Sequence, residues 1–329
     1  MADIKKSIAE LVGNTPLLEL TNLEKKERLD AEVIVKLEFN NPNQSVKDRT
    51  ALALIQSKEK SGELRPGGTI VDLTSGNTGI ALAAFAASKG YHFKVYIQDQ
   101  VSLERFQVIK AFGGTPIKLS EDPVVAKFVE DNNGDFVAIA KAIKNYVETE
   151  DNVVFVDQTS NLANREFHEA TTGPEIWKDT DGQVDIFVAT VGTDGTLSGV
   201  GKFLKSQNPD IQVVGVEPGP NSIPTPDIPL PENEITGVHP FDETIPRDHI
   251  PKNVNHNIYD EIIAVEALDA YETARKVART DGVLLGESSG SAIYAAIQLA
   301  KRSENKGKKI VAVSADTGLR YLSSGLFEA

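Results

Sequence analysis

Short β-branched runs alternate along the chain with amphipathic segments. Val33-Ile34-Val35, Thr69-Ile70-Val71, Phe93-Lys94-Val95-Tyr96-Ile97, Val153-Val154-Phe155-Val156, Asp185-Ile186-Phe187-Val188-Ala189, Val213-Val214-Gly215-Val216 and Ile310-Val311-Ala312-Val313 read as strands. Several are apolar at every position, as in strands buried on both faces. Such strands, alternating with helical patterns over 50–58, 80–89, 292–301 and from Leu197 onward, predict a mainly parallel α/β sheet. Ligands of such sheets bind beyond the carboxyl ends of the strands, so the chemistry is expected in the loops leaving them. The polar stretch Glu130-Asp131-Asn132-Asn133-Gly134-Asp135 predicts a surface loop, and Glu150-Asp151-Asn152 a domain break. Nine of the 16 prolines crowd between Pro218 and Pro251, which excludes a helix or an inner strand there.

Composition narrows the class. A chain of 329 residues suggests two domains at ~100–200 residues each. With 40% hydrophobic and 25% charged residues it is an ordinary folded chain. The formal net charge of −14 opposes binding to nucleic acid or to an anionic membrane, which leaves small molecules and other proteins as partners. Zero cysteines exclude disulfides, thiolate catalysis and thiolate-held metals. The charged start Asp3-Ile4-Lys5-Lys6 has no export pattern, and the longest apolar stretch, 80–87, falls short of the ~20 residues that span a bilayer. A cytoplasmic location is expected.

Three loops carry candidate chemistry. Thr74-Ser75-Gly76-Asn77-Thr78-Gly79 follows a strand and opens a helix, where exposed N–H groups and the helix dipole bind an anion. Gly192-Thr193-Asp194-Gly195-Thr196 lets backbone approach a phosphate closely. Gly286-Glu287-Ser288-Ser289-Gly290 precedes the helix at Ala292. Each alone reads equally well as a tight strand-to-helix turn. None is a G-x-G-x-x-G or G-x-x-x-x-G-K-[ST] motif, so nicotinamide and P-loop readings lose their support. In Ser45-Val46-Lys47-Asp48-Arg49 the Ser45-x-x-Asp48 spacing predicts a capped helix start with Lys47 in its first turn. The positive end of the dipole disfavours an ammonium there, the condition a Schiff-base lysine requires; otherwise Lys47 is a solvated surface residue.

Taken together, Gly13-Asn14-Thr15-Pro16, Asn41-Pro42 with Ser45-Val46-Lys47-Asp48-Arg49, Thr74 to Gly79, Thr171-Thr172-Gly173-Pro174-Glu175-Ile176-Trp177, Gly192 to Thr196 and Arg320-Tyr321-Leu322 resemble the cysteine synthase and cystathionine β-synthase family, in order and over essentially the whole chain. The resemblance implies the pyridoxal-phosphate-dependent fold of the tryptophan synthase β type (fold type II), with two domains each built on a mainly parallel sheet flanked by helices, and usually a homodimer. The expected division is 1–40 with 152–329 as the large cofactor-phosphate domain and 41–151 as the smaller, mobile domain carrying the substrate-carboxylate loop. By resemblance Lys47 holds pyridoxal 5'-phosphate and works as acid and base at Cα. Gly192, Thr193, Asp194, Gly195 and Thr196 cup the cofactor phosphate, Asn77 meets its ring hydroxyl and Ser288 its pyridine nitrogen. Thr74, Ser75, Gly76, Asn77, Thr78 and Gln158 form the substrate-carboxylate site. A neutral Ser288 partner makes the ring a weaker electron sink, which favours β-elimination over transamination.

Departures from the pattern mark this chain. Asp194 stands where glycine is usual, so its charge must point away from a phosphate. Glu287 replaces an apolar residue beside Ser288, and strand-like alternation would aim it to the opposite side. In Thr236-Gly237-Val238-His239-Pro240-Phe241-Asp242-Glu243 a glycine-rich active-site segment is replaced, with Asp242 the candidate that selects the nucleophile; His239, Asp242 and His249 lack metal-ligand spacing, so no metal is expected. The activity expected is β-replacement on an activated serine through an aminoacrylate: O-acetylserine plus sulfide giving cysteine and acetate. Serine or cysteine with homocysteine, cysteine with water, and a non-catalytic binding protein on the same fold are the alternatives. With the chain ending at Ala329, haem- or nucleotide-controlled forms are not expected.

Overall fold

The computed structural model describes residues 4–74, 76–99, 103–223, 234–240 and 250–328. The chain forms two compact units, one from Met1–Val12, Lys47–Asn164 and Arg247–Pro251, the other from Gly13–Val46, Arg165–Pro246 and Lys252–Ala329. The stretches 1–12, 41–46, 152–164 and 247–251 thus fall on the opposite side of the division from the one the pattern suggested.

The larger unit is built on a six-stranded sheet of β1 (Leu17–Glu19), β2 (Glu32–Leu37), β7 (Ile186–Thr190), β8 (Gln212–Pro218), β9 (Glu261–Val265) and β10 (Lys309–Ser314), in the order β1-β2-β10-β7-β8-β9. Only β1 runs antiparallel. The inner strands are apolar on both faces because helices cover both. On one side α1 (Thr21–Glu27), α10 (Ala267–Asp281) and α11 (Glu287–Ala300) enclose Val33, Val35, Val188, Val214 and Ala312. On the other, α8 (Thr172–Asp179) and α9 (Gly195–Gln207) enclose Phe187, Val213 and Val311, all fully buried. Each such side chain contributes roughly 1.5–3 kcal/mol by leaving water. α7 (Ala163–Ala170) leads into α8.

The smaller unit has a four-stranded parallel sheet, β5-β4-β3-β6, from β3 (Thr69–Leu73), β4 (His92–Ile97), β5 (Thr115–Lys118) and β6 (Val153–Phe155). The pairing of β6 with β3 is what carries 152–164 into this unit. α2 (Lys47–Ser61) packs against α3 (Asn77–Lys89), and the short helical turn Ile8–Leu11 also lies on α3. α4 (Leu103–Ala111), α5 (Pro123–Asp131) and α6 (Phe136–Val147) complete it; the expected polar loop supplies the end of α5 and the turn into α6. Among the described residues no helix is long and apolar enough to cross a membrane.

Candidate active site

In the smaller unit, Lys47 is the first residue of α2, as the sequence predicts, and is half-buried, while Asp48 and Arg49 are fully buried. The Ser45 backbone forms an antiparallel bridge to Asp316 and Val46 N–H donates to Ala315 O at 2.7 Å, so both residues before Lys47 are tied to the 315–316 segment. The loop after β3 opens α3 at Asn77, with Gly76 at the cap position. Thr74 N–H donates to Tyr96 O at 3.1 Å, and Gly79 N–H turns back to Gly76 O at 3.1 Å. Thr78 Oγ1 donates to Gln158 Oε1 at 2.7 Å. Thr78 and Gln158, 80 residues apart, meet because β3 and β6 run parallel and side by side. Ser75 lies outside the described residues.

A polar chain that the sequence did not suggest joins these parts. Thr50 Oγ1, one helical turn from Lys47 on the same face of α2, donates to Asn164 Oδ1 at 2.9 Å, and Asn164 Nδ2 donates to Gln158 O at 3.1 Å. Beneath the loop, Asp72 of β3 is fully buried. Burial, then the Asp157 carboxylate, push it well above the usual carboxylate range.

In the larger unit, Gly192-Thr193-Asp194 follows β7 and α9 begins at Gly195. A Cβ on Gly192 would lie 2.6 Å from Gly237 O, so only glycine fits. Asp194 occupies the left-handed region at φ 65°, a conformation Asp tolerates better than most residues. Its Oδ2 accepts from the hydroxyls of Ser198 and Tyr259, 3.0 Å from each other, and its Oδ1 has no hydrogen-bond partner among the described residues. Burial pushes its pKa up to about 7, against the lowering effect of those two hydroxyls and Arg165. The carboxyl is therefore turned into the protein. Thr196 Oγ1 lies 3.2 Å from His168 Nε2, whose Nδ1 is 2.9 Å from Thr172 Oγ1, so the Thr171 to Trp177 motif buttresses the loop. From the same motif Glu175 pairs at 2.9 Å with Lys36, which is fully buried and donates to Thr15 O at 2.6 Å. Tyr321 OH donates to Asp316 Oδ2 at 2.7 Å and Arg320 to Asn43 O.

Ser288 lies within the first turn of α11, which begins at Glu287, five residues earlier than the apolar pattern suggested. Glu287 is buried and its Oε2 accepts Thr236 N–H at 3.0 Å. The candidate Asp242, with Phe241, Glu243 and His249, lies outside the described residues.

The chain thus carries a cradle shaped around Gly192 after a central strand, a second glycine-bearing loop at another helix start, and a lysine opening a helix, all at the places where α/β sheets bind ligands. A family model described as "Pyridoxal-phosphate dependent enzyme" matches residues 8–316. A cysteine synthase of Staphylococcus aureus is 41% identical over 322 residues, covering 98% of this chain and 96% of that protein. Among solved structures, a cysteine synthase from Entamoeba histolytica superposes with a TM-score of 0.84 at 35% identity, over 99% of this chain and 91% of that one. A hydrogen sulfide-producing enzyme from Fusobacterium nucleatum gives 0.84 at 33% identity, over 98% of this chain and 99% of that one. The chain belongs to the pyridoxal-phosphate dependent enzymes. Its fold is fold type II and its cofactor is pyridoxal 5'-phosphate. The cradle fits that group: the space a Cβ would need at Gly192 is taken, α9 offers a helix start of 13 residues, and the one carboxylate in the loop faces inward.

Proposed function

We propose that this chain makes L-cysteine from O-acetyl-L-serine and sulfide, releasing acetate. The observation that carries the reading is Lys47 at the opening of α2, together with the Thr78–Gln158 pair, on a chain 41% identical to a cysteine synthase. Gly192, Thr193, Gly195 and Thr196 would hold the cofactor phosphate through backbone N–H groups and hydroxyls, Asn77 its ring hydroxyl, and Ser288 its ring nitrogen. When bound, the cofactor supplies the electron sink that makes the substrate Cα proton acidic. The Lys47 amine is the base that takes this proton and later returns one to Cα. Thr74, Gly76, Asn77 and Thr78 receive the substrate carboxylate at the positive end of α3, Thr78 through its N–H group, while its hydroxyl proton ties the loop to Gln158. Ser288 donates or accepts a hydrogen bond but carries no charge, so electron density is not held on the ring and loss of acetate from Cβ is favoured.

The same residues support a second reading, in which cysteine and water give serine and hydrogen sulfide; the 33% identical hydrogen sulfide-producing enzyme favours it. β-Replacement with homocysteine belongs to the same group of reactions. A cytoplasmic homodimer acting on small amino acids is the setting we infer. Mass spectrometry of products from O-acetylserine with sulfide, and from cysteine with and without homocysteine, separates the readings. Fast formation of cysteine is expected in the first mixture. Slow formation there, with fast release of sulfide from cysteine, would replace the first reading with the second, and Lys47→Ala is expected to abolish either activity while the fold persists.

A further inference from the structure

Between two stretches outside the described residues, segment 234–240 is fixed to the larger unit at three points. Tyr271 OH donates to Glu234 O at 2.8 Å, Thr236 N–H donates to Glu287 Oε2 at 3.0 Å, and His239 N–H donates to Val191 O at 2.8 Å. Ile235 and Val238 are buried in the same core as α10 and α11. At the centre Gly237 adopts φ +79°, and its carbonyl oxygen covers Gly192 so closely that a Cβ there would sit 2.6 Å away. The segment is thus a wall of the Gly192–Thr196 cradle.

Glu287 meets this wall from the first turn of α11. It is 3% exposed, and a buried carboxylate persists only where donors surround it. Thr236 N–H is one, the Ser324 hydroxyl lies 3.4 Å from Oε1, and Tyr271 is close enough for the Glu287 charge, after burial, to push its hydroxyl up. The helix dipole favours a negative charge at this position. An apolar residue at 287 has no acceptor for Thr236 N–H.

We propose that Glu287 is a positioning residue: its carboxylate clamps segment 234–240 onto Gly192 and so sets how tightly the Gly192–Thr196 loop holds a phosphate group. The second half rests on the reading of that loop as the cofactor-phosphate cradle. Two variants separate reach from charge. Glu287→Gln keeps an acceptor oxygen at the same distance, whereas Glu287→Asp keeps the charge on a side chain one methylene shorter.

Hydrogen exchange on the holoenzyme reads the clamp, and the dissociation constants of pyridoxal phosphate and of pyridoxal read the cradle. In Glu287→Asp, exchange at Thr236 should rise about tenfold or more, since the opening there becomes local. Affinity for pyridoxal phosphate should fall about tenfold while that for pyridoxal changes little, and Glu287→Gln should stay within about threefold of wild type in both. Unchanged exchange in Glu287→Asp overturns the clamp. Raised exchange with the preference for pyridoxal phosphate over pyridoxal intact overturns its link to the cradle. A wild type that binds pyridoxal as tightly as pyridoxal phosphate would overturn the cradle reading and the second half of the proposal, and the exchange result would still decide the first.

Discussion

The loops at Gly192 and Gly76 leave strands in the same way, yet they are built differently. At Gly192 the neighbouring backbone occupies the place a side chain would need, and Thr196, His168 and Thr172 form a buttress behind it. At Gly76 a Cβ would meet nothing within 4 Å among the described residues, and φ is −131°, which any residue adopts. The loop of the larger unit is shaped by the protein before anything binds. That of the smaller unit is open around Gly76 among the described residues, with the Thr78 hydroxyl held by Gln158. A preformed cradle suits a group that stays bound; an open loop suits a substrate that enters and leaves each cycle.

The largest expected effect tests the acid built into the first loop. Asp194 has a pKa of about 7 when folded and an ordinary value of 3.8, so the folded state binds its proton more tightly. Its contribution to stability is therefore complete below about pH 4 and is lost as pH rises through 7, a span of about 4 kcal/mol at most. Urea unfolding of wild type and Asp194→Asn between pH 4 and 8 should show the difference between them changing across that window. Asp72 also has a raised pKa and gives the wild type a falling stability of its own, so the difference, not the wild-type slope, is the measure. Parallel curves would mean that Asp194 does not titrate in this range.

Second in size is the paired substitution Gly192→Ala and Gly76→Ala. Overpacking against a backbone oxygen costs roughly 1–3 kcal/mol, so Gly192→Ala should weaken pyridoxal phosphate binding about thirtyfold or more. Gly76→Ala should leave it within about threefold, since nothing stands where its methyl goes. Equal effects at the two glycines would erase the contrast between a packed loop and an open one.

Third is the hidden chain behind Lys47. Thr50→Val keeps the shape and removes the hydroxyl that donates to Asn164 Oδ1, which should destabilise the protein by about 1.5 kcal/mol. Denaturant midpoints check it, and no loss would show that this bond adds nothing to stability.

Much of this was legible in the sequence, and the exceptions have a common cause. The seven strands read from β-branched runs all exist, and Lys47 opens its helix. The three that were missed, β1, β5 and β9, are all edge strands. All three are paired on one side only and largely half-exposed; β1 is only three residues long and β5 contains Pro116, which an edge tolerates, whereas β9 does carry an apolar run, Ile262-Ile263-Ala264-Val265, that follows the proline-rich stretch. The break suggested at 150–152 failed because the pairing of β6 with β3 is not local. Likewise Thr50 and Asn164 meet across 114 residues, and Glu287 meets Thr236 across 51, which local pattern does not encode.

The smallest expected effect crosses the two loops against each other. Thr78→Val removes the hydroxyl bonded to Gln158, and Thr196→Val the hydroxyl beside His168; both changes are close to isosteric. A single neutral hydrogen bond is worth about 1 kcal/mol, a factor of about five. If the open loop serves the substrate and the packed loop the cofactor, Thr78→Val raises KM for O-acetylserine about fivefold and leaves the dissociation constant of pyridoxal phosphate alone. Thr196→Val does the reverse. Steady-state kinetics at saturating cofactor and equilibrium binding without substrate give the four numbers. Both variants shifting the same constant would show that the loops act on one ligand, and the division of labour between them would fall.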